Sequence, residues 1–320
     1  MHITSRRRLA ATVAAIALAS GPAACSGGAD AATGDTISIG VGIDGTYAAF
    51  FVADAEGLFR KQGVNVKVVQ FSAGGDAVQA IAGKQVQLAG SSTTTAVTLM
   101  AQNSNLRGLF PYMKSDTYLK VVANPKVKTA TDIKSIGVVP GVSEYLAHKY
   151  FESEGVDAGG VKFVKADPPE LPALTAKGDL DAFLLWEPWP TNGAAMGLHV
   201  LTDTGQFGQP TTQILLGEDN WITGHEDDVV KIAKALNEAS TKIEADPEAA
   251  AKTVSKGTKI SDATALNEIK QVDYGAHAFT TDDMKSFSEQ SAYFVKAGTL
   301  KSVPDLSTTI LQSWYADHVK

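Results

Sequence analysis

Between residues 36 and 124 short apolar, β-branched runs alternate with stretches of helical spacing. Strand-like runs at 36–41, 64–71 and 86–89 are each followed by a helix-like segment, at 48–56, 76–82 and 94–102. Gly57, Gly63 and Gly83 punctuate the ends of these elements. The pattern restarts with strands at 135–139, 161–164 and 180–185 and helices at 144–154 and 171–176. Alternation of this kind predicts an α/β fold in which each lobe is a mainly parallel sheet covered by helices on both faces. Two cycles predict two lobes. From Trp221 onward the chain reads as helical, with Asp227 and Asp228 at a helix start and an apolar stripe of Val229, Ile232, Ala233, Leu236 and Ile243. Asp246-Pro247 and Thr280 to Asp283 open further helices.

The two cycles correspond residue by residue in two places. Ile39-Gly40-Val41 parallels Ile136-Gly137-Val138, and residues 82–89 parallel residues 176–183 at nearly the same offset. Each lobe is therefore expected to repeat strand, turn, helix and a Gly-led short strand ending at a loop.

In both cycles the first strand runs into a tight turn. After Ile136 to Val139 come Pro140 and Gly141, and then Val142, Ser143 and Glu144 open a helix. Backbone N–H groups at such a turn lack intrahelical partners and have the positive end of the helix dipole behind them, which suits an anion. The earlier counterpart runs from Gly40 through Gly42, Asp44 and Gly45 to Thr46-Tyr47. Residues 40–45 also fit the spacing of a dinucleotide fingerprint, but the acid required some 20 residues later is missing, since the next strand ends in Gln70-Phe71.

The N-terminus changes the picture. Arg6-Arg7-Arg8, an apolar stretch over 9–20 and small residues up to Cys25 read as an export signal over 1–24, too short to span a bilayer comfortably. Pro22-Ala23-Ala24-Cys25 is similar to a lipoprotein box, so Cys25 is the expected lipidation site and 25–35 the expected tether, with simple cleavage near 29–32 as the alternative. Cys25 is the one cysteine of the chain, which excludes an internal disulfide. Loss of 1–24 removes three arginines and no acids, taking the formal charge from −7 to −10 and arguing against nucleic acid as a partner.

Catalytic chemistry is poorly signalled. The histidines after the signal (His148, His199, His225, His277 and His318) lack metal-ligand spacing, and there is no Gly-x-Ser-x-Gly elbow. Two stretches suit ligand capture instead. Trp186-Glu187-Pro188-Trp189 follows a strand of the second cycle and offers an aromatic wall with a carboxylate. Ser91, Ser92 and Thr93 lie at the matching edge of the first cycle and offer hydroxyls beside a helix N-terminus.

Ala53 to Phe59, Gly63 to Val66, Gly83 to Ser92, Thr131 to Val138, Gly178 to Ala182 and Trp186-Glu187-Pro188, in this order behind an export signal, resemble the solute-binding proteins of nitrate, sulfonate and taurine ABC importers, a group related to thiamine-precursor-binding proteins. The resemblance implies a two-lobed, type II periplasmic-binding-protein-like fold with two hinge crossings, placed near 119–124 and 211–216. Residues 36–122 and 214–320 are then expected to form the first lobe and 123–213 the second. It implies a binding protein rather than an enzyme, a small-molecule ligand buried by lobe closure, an inner-membrane permease as partner, a monomer, no metal or other cofactor, and a place outside the cell membrane or in the periplasm. The expected ligand-binding set is Asp44, Gly45, Tyr47, Ser91, Ser92, Thr93, Val142, Ser143, Glu144, Trp186, Glu187 and Trp189. Only Arg60 and Arg107 remain after the signal, so an oxyanion is expected on backbone N–H groups and the hydroxyls of Ser91, Ser92 and Ser143, with Asp44 and Glu187 taking an amine. Taurine or a related sulfonate is the first expectation and a thiamine-type pyrimidine the second. An enzyme of the pyrimidine or menaquinone pathways on the same fold is the alternative of another class.

Overall fold

The computed structural model describes residues 35–320, so the expected export signal and the Cys25 anchor lie outside the described residues. Strand β1 (Ile37–Val41) passes through a 3-10 turn (Gly45–Tyr47) into α1 (Ala48–Ala55) and α2 (Leu58–Lys61). Next come β2 (Val66–Gln70), α3 (Gly74–Ala82), β3 (Leu88–Ser92), α4 (Thr93–Gln102) and the long β4 (Leu106–Ser115). The middle of the chain holds β5 (Leu119–Ala123), β6 (Ser135–Val138), α5 (Val142–Ser153), β7 (Lys162–Lys165), α6 (Leu171–Lys177), β8 (Ala182–Trp186), α7 (Trp189–Ala195) and β9 (His199–Asp203). The remainder is β10 (Thr211–Glu218), α8 (Asp219–Gly224), α9 (Glu226–Ala245), α10 (Pro247–Thr258), α11 (Asp262–Ile269), β11 (Asp273–Tyr274), α12 (Thr281–Lys296), α13 (Leu306–Thr309) and α14 (Trp314–His318).

These strands form two sheets, ordered β11-β4-β10-β3-β1-β2 and β7-β6-β8-β5-β9. Each has a parallel part, β2-β1-β3 or β7-β6-β8, built by βαβ crossovers. Each is completed by antiparallel strands, because β5 and β10 enter directly from the other sheet and have no crossover helix to turn them round. The chain passes between the sheets twice, through residues 116–118 and 204–210. These links precede the expected crossings: Leu119–Ala123 pairs with β8 and β9 of the second sheet, and Thr211–Glu218 with β3 and β4 of the first.

The internal repeat holds in register. Ile39 lies opposite Leu88 in the first sheet, and the matching Ile136 opposite Ala182 in the second. The residue before the third strand caps the start of the first in both cases: Ser38 N–H donates to Gln87 Oε1 at 2.8 Å, and Ser135 N–H donates to Asp181 Oδ2 at 2.9 Å. Asp181 also accepts from Lys134 N–H at 2.8 Å, so one ionised side chain satisfies two backbone donors at the sheet end.

The C-terminal helices pack on the first sheet's side. The stripe from Val229 to Ile243 of α9 is buried, with three acids in its first turn against the dipole. Asp246 caps α10 by accepting from Ala249 N–H at 3.0 Å, and Thr280 with Asp283 forms a capping box on α12. Among the described residues no helix is long and apolar enough to cross a membrane.

Replacing Asp181 with Ala should lower unfolding stability by about 1–3 kcal/mol, since charge-assisted acceptors of backbone donors are lost, whereas Gln87→Ala should cost about 1 kcal/mol. Urea denaturation of both variants checks the order.

Candidate functional site

The carboxyl ends of the parallel strands of both sheets meet at one cleft, the edge at which open α/β sheets bind ligands. Its walls include Asp44 after β1, residues 72–75 after β2, Ser91 and Ser92 at the end of β3, Val142 after β6 and Trp186 at the end of β8, with Tyr118 from the first crossing and Thr211 and Gln213 from the start of β10, just after the second. Counted out to its open mouth the cleft encloses about 570 Å³. Asp44 is the one charged side chain among the described residues lining it, and there is no Lys, Arg or His there.

Two helix N-termini face the cleft without side-chain caps. Helix α3 begins at Gly74 behind Ala73, and α5 at Val142 behind Gly141. Gly141 sits at φ +94°, a conformation that admits little but glycine, and it turns the chain so that α5 starts at the cleft. The first backbone N–H groups of α3 and α5 thus approach the same space from opposite sheets. Beside them Ser91 Oγ and Thr211 Oγ1 are buried with no protein partner. Gly74 is required by close approach: a Cβ there would stand 2.4 Å from the Tyr47 hydroxyl and 2.8 Å from the Gly90 carbonyl.

Asp44 lies opposite in chemistry. Its Oδ1 accepts from Thr46 N–H at 2.9 Å and from the Thr46 hydroxyl at 2.5 Å. Burial raises its pKa, while the hydrogen bonds from Thr46 and the Tyr118 phenol oppose the rise. Behind it Gly45 N–H donates to Glu268 Oε2 at 2.6 Å, and Glu268 Oε1 is buried without a partner. Burial, then the negative charge of Asp44, pushes the Glu268 pKa up to about 8, so this carboxyl is largely protonated at neutral pH. Glu187, the third acid of the neighbourhood, pairs with Lys120 Nζ at 2.6 Å, and Lys120 also donates to Gln271 Oε1. With Glu268 neutral and Glu187 paired to Lys120, Asp44 is the acid of the three that stands at the cleft wall without a cationic partner.

Of the twelve residues expected to bind ligand, Asp44, Tyr47, Ser91, Ser92, Val142 and Trp186 line the cleft. The other six are engaged elsewhere. The Ser143 hydroxyl donates to the Leu184 carbonyl at 2.5 Å and accepts from Val139 N–H, so it locks the turn rather than facing the cleft. Glu187 is fully buried against Lys120, which corrects its expected role as a free acceptor for an amine. Glu144 points outward to Lys165 at 3.0 Å, Thr93 accepts from Gln290, and Trp189 packs into the second sheet's apolar cluster. Gly45 has both backbone groups taken, by Glu268 and by the Tyr274 hydroxyl. The first sheet's open turn is therefore at 72–75, not 42–45. Arg107 is held by Asp219 at 3.1 Å, and neither it nor Arg60 lines the cleft. Ser72-Ala73-Gly74-Gly75 carried a legible signal, a Gly-rich turn between strand and helix. Tyr118, Thr211 and Gln213 carried none, since only the crossings bring them here.

Glu268 makes stability depend on pH. Its pKa in the folded protein, about 8, lies above the ordinary 4.5, so the folded state holds the extra proton and stability falls as pH rises between those values. Melting temperatures from pH 5 to 9 should decline in the wild type, and Glu268→Gln should flatten that decline; an unchanged slope would show that Glu268 ionises freely.

The chain is similar to proteins of known fold and name. Over 205 residues the chain is 26% identical to the taurine-binding periplasmic protein of Escherichia coli (strain K12), a match spanning 62% of this chain and 63% of that protein. The fold is shared with the periplasmic aliphatic sulphonate binding protein of Escherichia coli, with a TM-score of 0.79 at 14% identity over 89% of this chain and 100% of that one. The periplasmic nitrate-binding protein of Synechocystis PCC 6803 shares it with a TM-score of 0.70, at 15% identity and with 88% of each chain covered. The two-lobed periplasmic-binding-protein-like fold is thereby established. Residues 45–250 match the family described as NMT1/THI5 like, and the chain belongs to that family.

Proposed function

We propose that this protein is the extracytoplasmic solute-binding component of an ABC import system and captures a small zwitterion of the taurine type between its two lobes. The observation that carries this reading is the opposed polarity of the cleft. Uncapped N-termini of α3 and α5 and the Ser91 hydroxyl offer donors to an acid group, while Asp44 offers an uncompensated carboxylate to an amine. A bare inorganic anion gains the first set but is repelled by Asp44. Trp186, Tyr47 and Tyr118 supply apolar wall for the short link between the two ends. The names of relatives that bind taurine and aliphatic sulphonates support the ligand class.

Capture proceeds by rotation of the lobes about residues 116–118 and 204–210, and the closed form is offered to a membrane permease. Cys25 carries the lipid anchor in this reading. Metabolic lipid labelling should mark the wild type and not Cys25→Ala, and equal labelling of both removes the anchor.

A thermal-shift panel of taurine, ethanesulfonate, nitrate, sulfate and an aminopyrimidine tests the ligand class, because a ligand at a hundred times its Kd adds about 2.7 kcal/mol of stability. Taurine should give the largest shift. Asp44→Asn should weaken taurine by about tenfold or more and leave ethanesulfonate nearly unchanged. Taurine affinity should also fall as pH drops through the raised pKa of Asp44, since protonation removes the carboxylate. Nitrate binding insensitive to Asp44→Asn contradicts the proposal, and a response to the aminopyrimidine alone moves the ligand to the heteroaromatic class. Trp186→Ala should cost about 1–3 kcal/mol of binding, read by calorimetry.

A further inference from the structure

Asp44 is held by a chain of side chains that begins on β4 and crosses the neighbouring strand β10. The Tyr112 hydroxyl, on β4, donates to Gln213 Oε1 on β10. Gln213 Nε2 donates to Thr46 Oγ1 at 2.9 Å, and the Thr46 hydroxyl donates to Asp44 Oδ1 at 2.5 Å. Tyr112, Thr46 and Gln213 are all at least nine-tenths buried, so water does not compete for these bonds.

The direction of the chain is fixed by the chemistry of its members. An amide oxygen only accepts, so Tyr112 must donate to it; the amide nitrogen then only donates, so Thr46 Oγ1 must accept from it. With an incoming donor satisfied, the Thr46 proton is free to point at Asp44. Together with the Thr46 N–H, this puts two donors on Oδ1.

We propose that Gln213 is a positioning residue for the ligand's cationic end: it orients the Thr46 hydroxyl as a donor and so presents Asp44 to the cleft as an ionised acceptor. This inference rests on the zwitterion reading for its consequence in binding, but not for its effect on Asp44 in the ligand-free protein. The need for such a device follows from the surroundings. Asp44 faces the carboxyl of Glu268 on α11 and the phenols of Tyr47, Tyr112, Tyr118 and Tyr274; Glu187 neighbours Glu268 and is already paired with the Lys120 ammonium. None of these neighbours is a free cation, and burial works against ionisation. Two donors from Thr46 work for it.

The sequence hid this role, because Gln213 is two residues into a strand and 167 residues from Thr46.

The test is a pH titration of the Asp44 carboxyl by carbon NMR in ligand-free protein, with the signal assigned by its loss in Asp44→Asn. Gln213→Met removes the incoming donor, Gln213→Glu turns the Thr46 proton away from Asp44, and Thr46→Val removes the donor itself. Each should move the Asp44 midpoint upward, with Gln213→Glu moving it furthest. In a Thr46→Val background Gln213→Met should add nothing, since both act through the same proton. Taurine affinity at pH 7 should fall about tenfold in Gln213→Glu while ethanesulfonate affinity changes little. An Asp44 midpoint unchanged in both Gln213 variants, or additive effects of Gln213→Met and Thr46→Val, overturns the proposal. If the midpoints move as stated while taurine fails to bind the wild type, the positioning role stands and the ligand reading falls. Gln213→Met serves as the variant of nearest shape should Gln213→Glu not fold.

Discussion

Three carboxyl groups, Asp44, Glu187 and Glu268, share one buried neighbourhood with a single ammonium, Lys120, and the behaviour of the cleft follows from that imbalance. Burial makes ionised carboxyls costly unless each is paired or hydrogen-bonded. Glu187 takes Lys120, Glu268 keeps its proton, and Asp44 is left with hydrogen bonds alone. The groups come from different parts of the fold. Asp44 follows β1 and Glu268 sits on α11, both on the first sheet's side, while Lys120 on β5 and Glu187 after β8 belong to the second. Gln271 reaches across to Lys120, so the charge arrangement is assembled where the two sheets meet beside the crossings.

That arrangement gives the cleft a direction. Helix N-termini and the unpartnered hydroxyls of Ser91 and Thr211 share its walls with the Asp44 carboxyl, an indole and two phenols. A ligand matching only one end loses either the dipole interaction or the charge pair, and a simple anion also meets repulsion. Discrimination of this kind uses an unfavourable contact as much as a favourable one. In the proposed function lobe closure adds to it, because only a ligand touching both sheets favours the closed form over the open one.

Much of the fold was legible because its signals are local. Alternating strand and helix periodicity, glycine punctuation and capping residues placed most elements within a few residues, and the repeat of Ile39 with Ile136 held in the hydrogen-bonded register. The antiparallel half of each sheet was not legible, because it depends on which sheet β5 and β10 join after each crossing. The site divided along the same line. Asp44, Ser91, Val142 and Trp186 sit at strand ends, where position along the chain predicts position at the cleft. Ser143 and Glu187 sit at strand ends too, yet the Leu184 carbonyl and Lys120 claim their polar atoms, and such claims depend on partners distant in sequence. Gln213 and Tyr118 reach the cleft through the crossings, which no local pattern marks.

The most direct measurement is mass spectrometry of the solute released on denaturing protein purified from cells grown on complex medium. The opposed polarity of the cleft predicts a small molecule carrying both an acid group and a basic nitrogen, present at about one per protein and lost from Asp44→Asn. Recovery of an inorganic anion, or of an acid with no basic nitrogen, retained equally by Asp44→Asn, would contradict it.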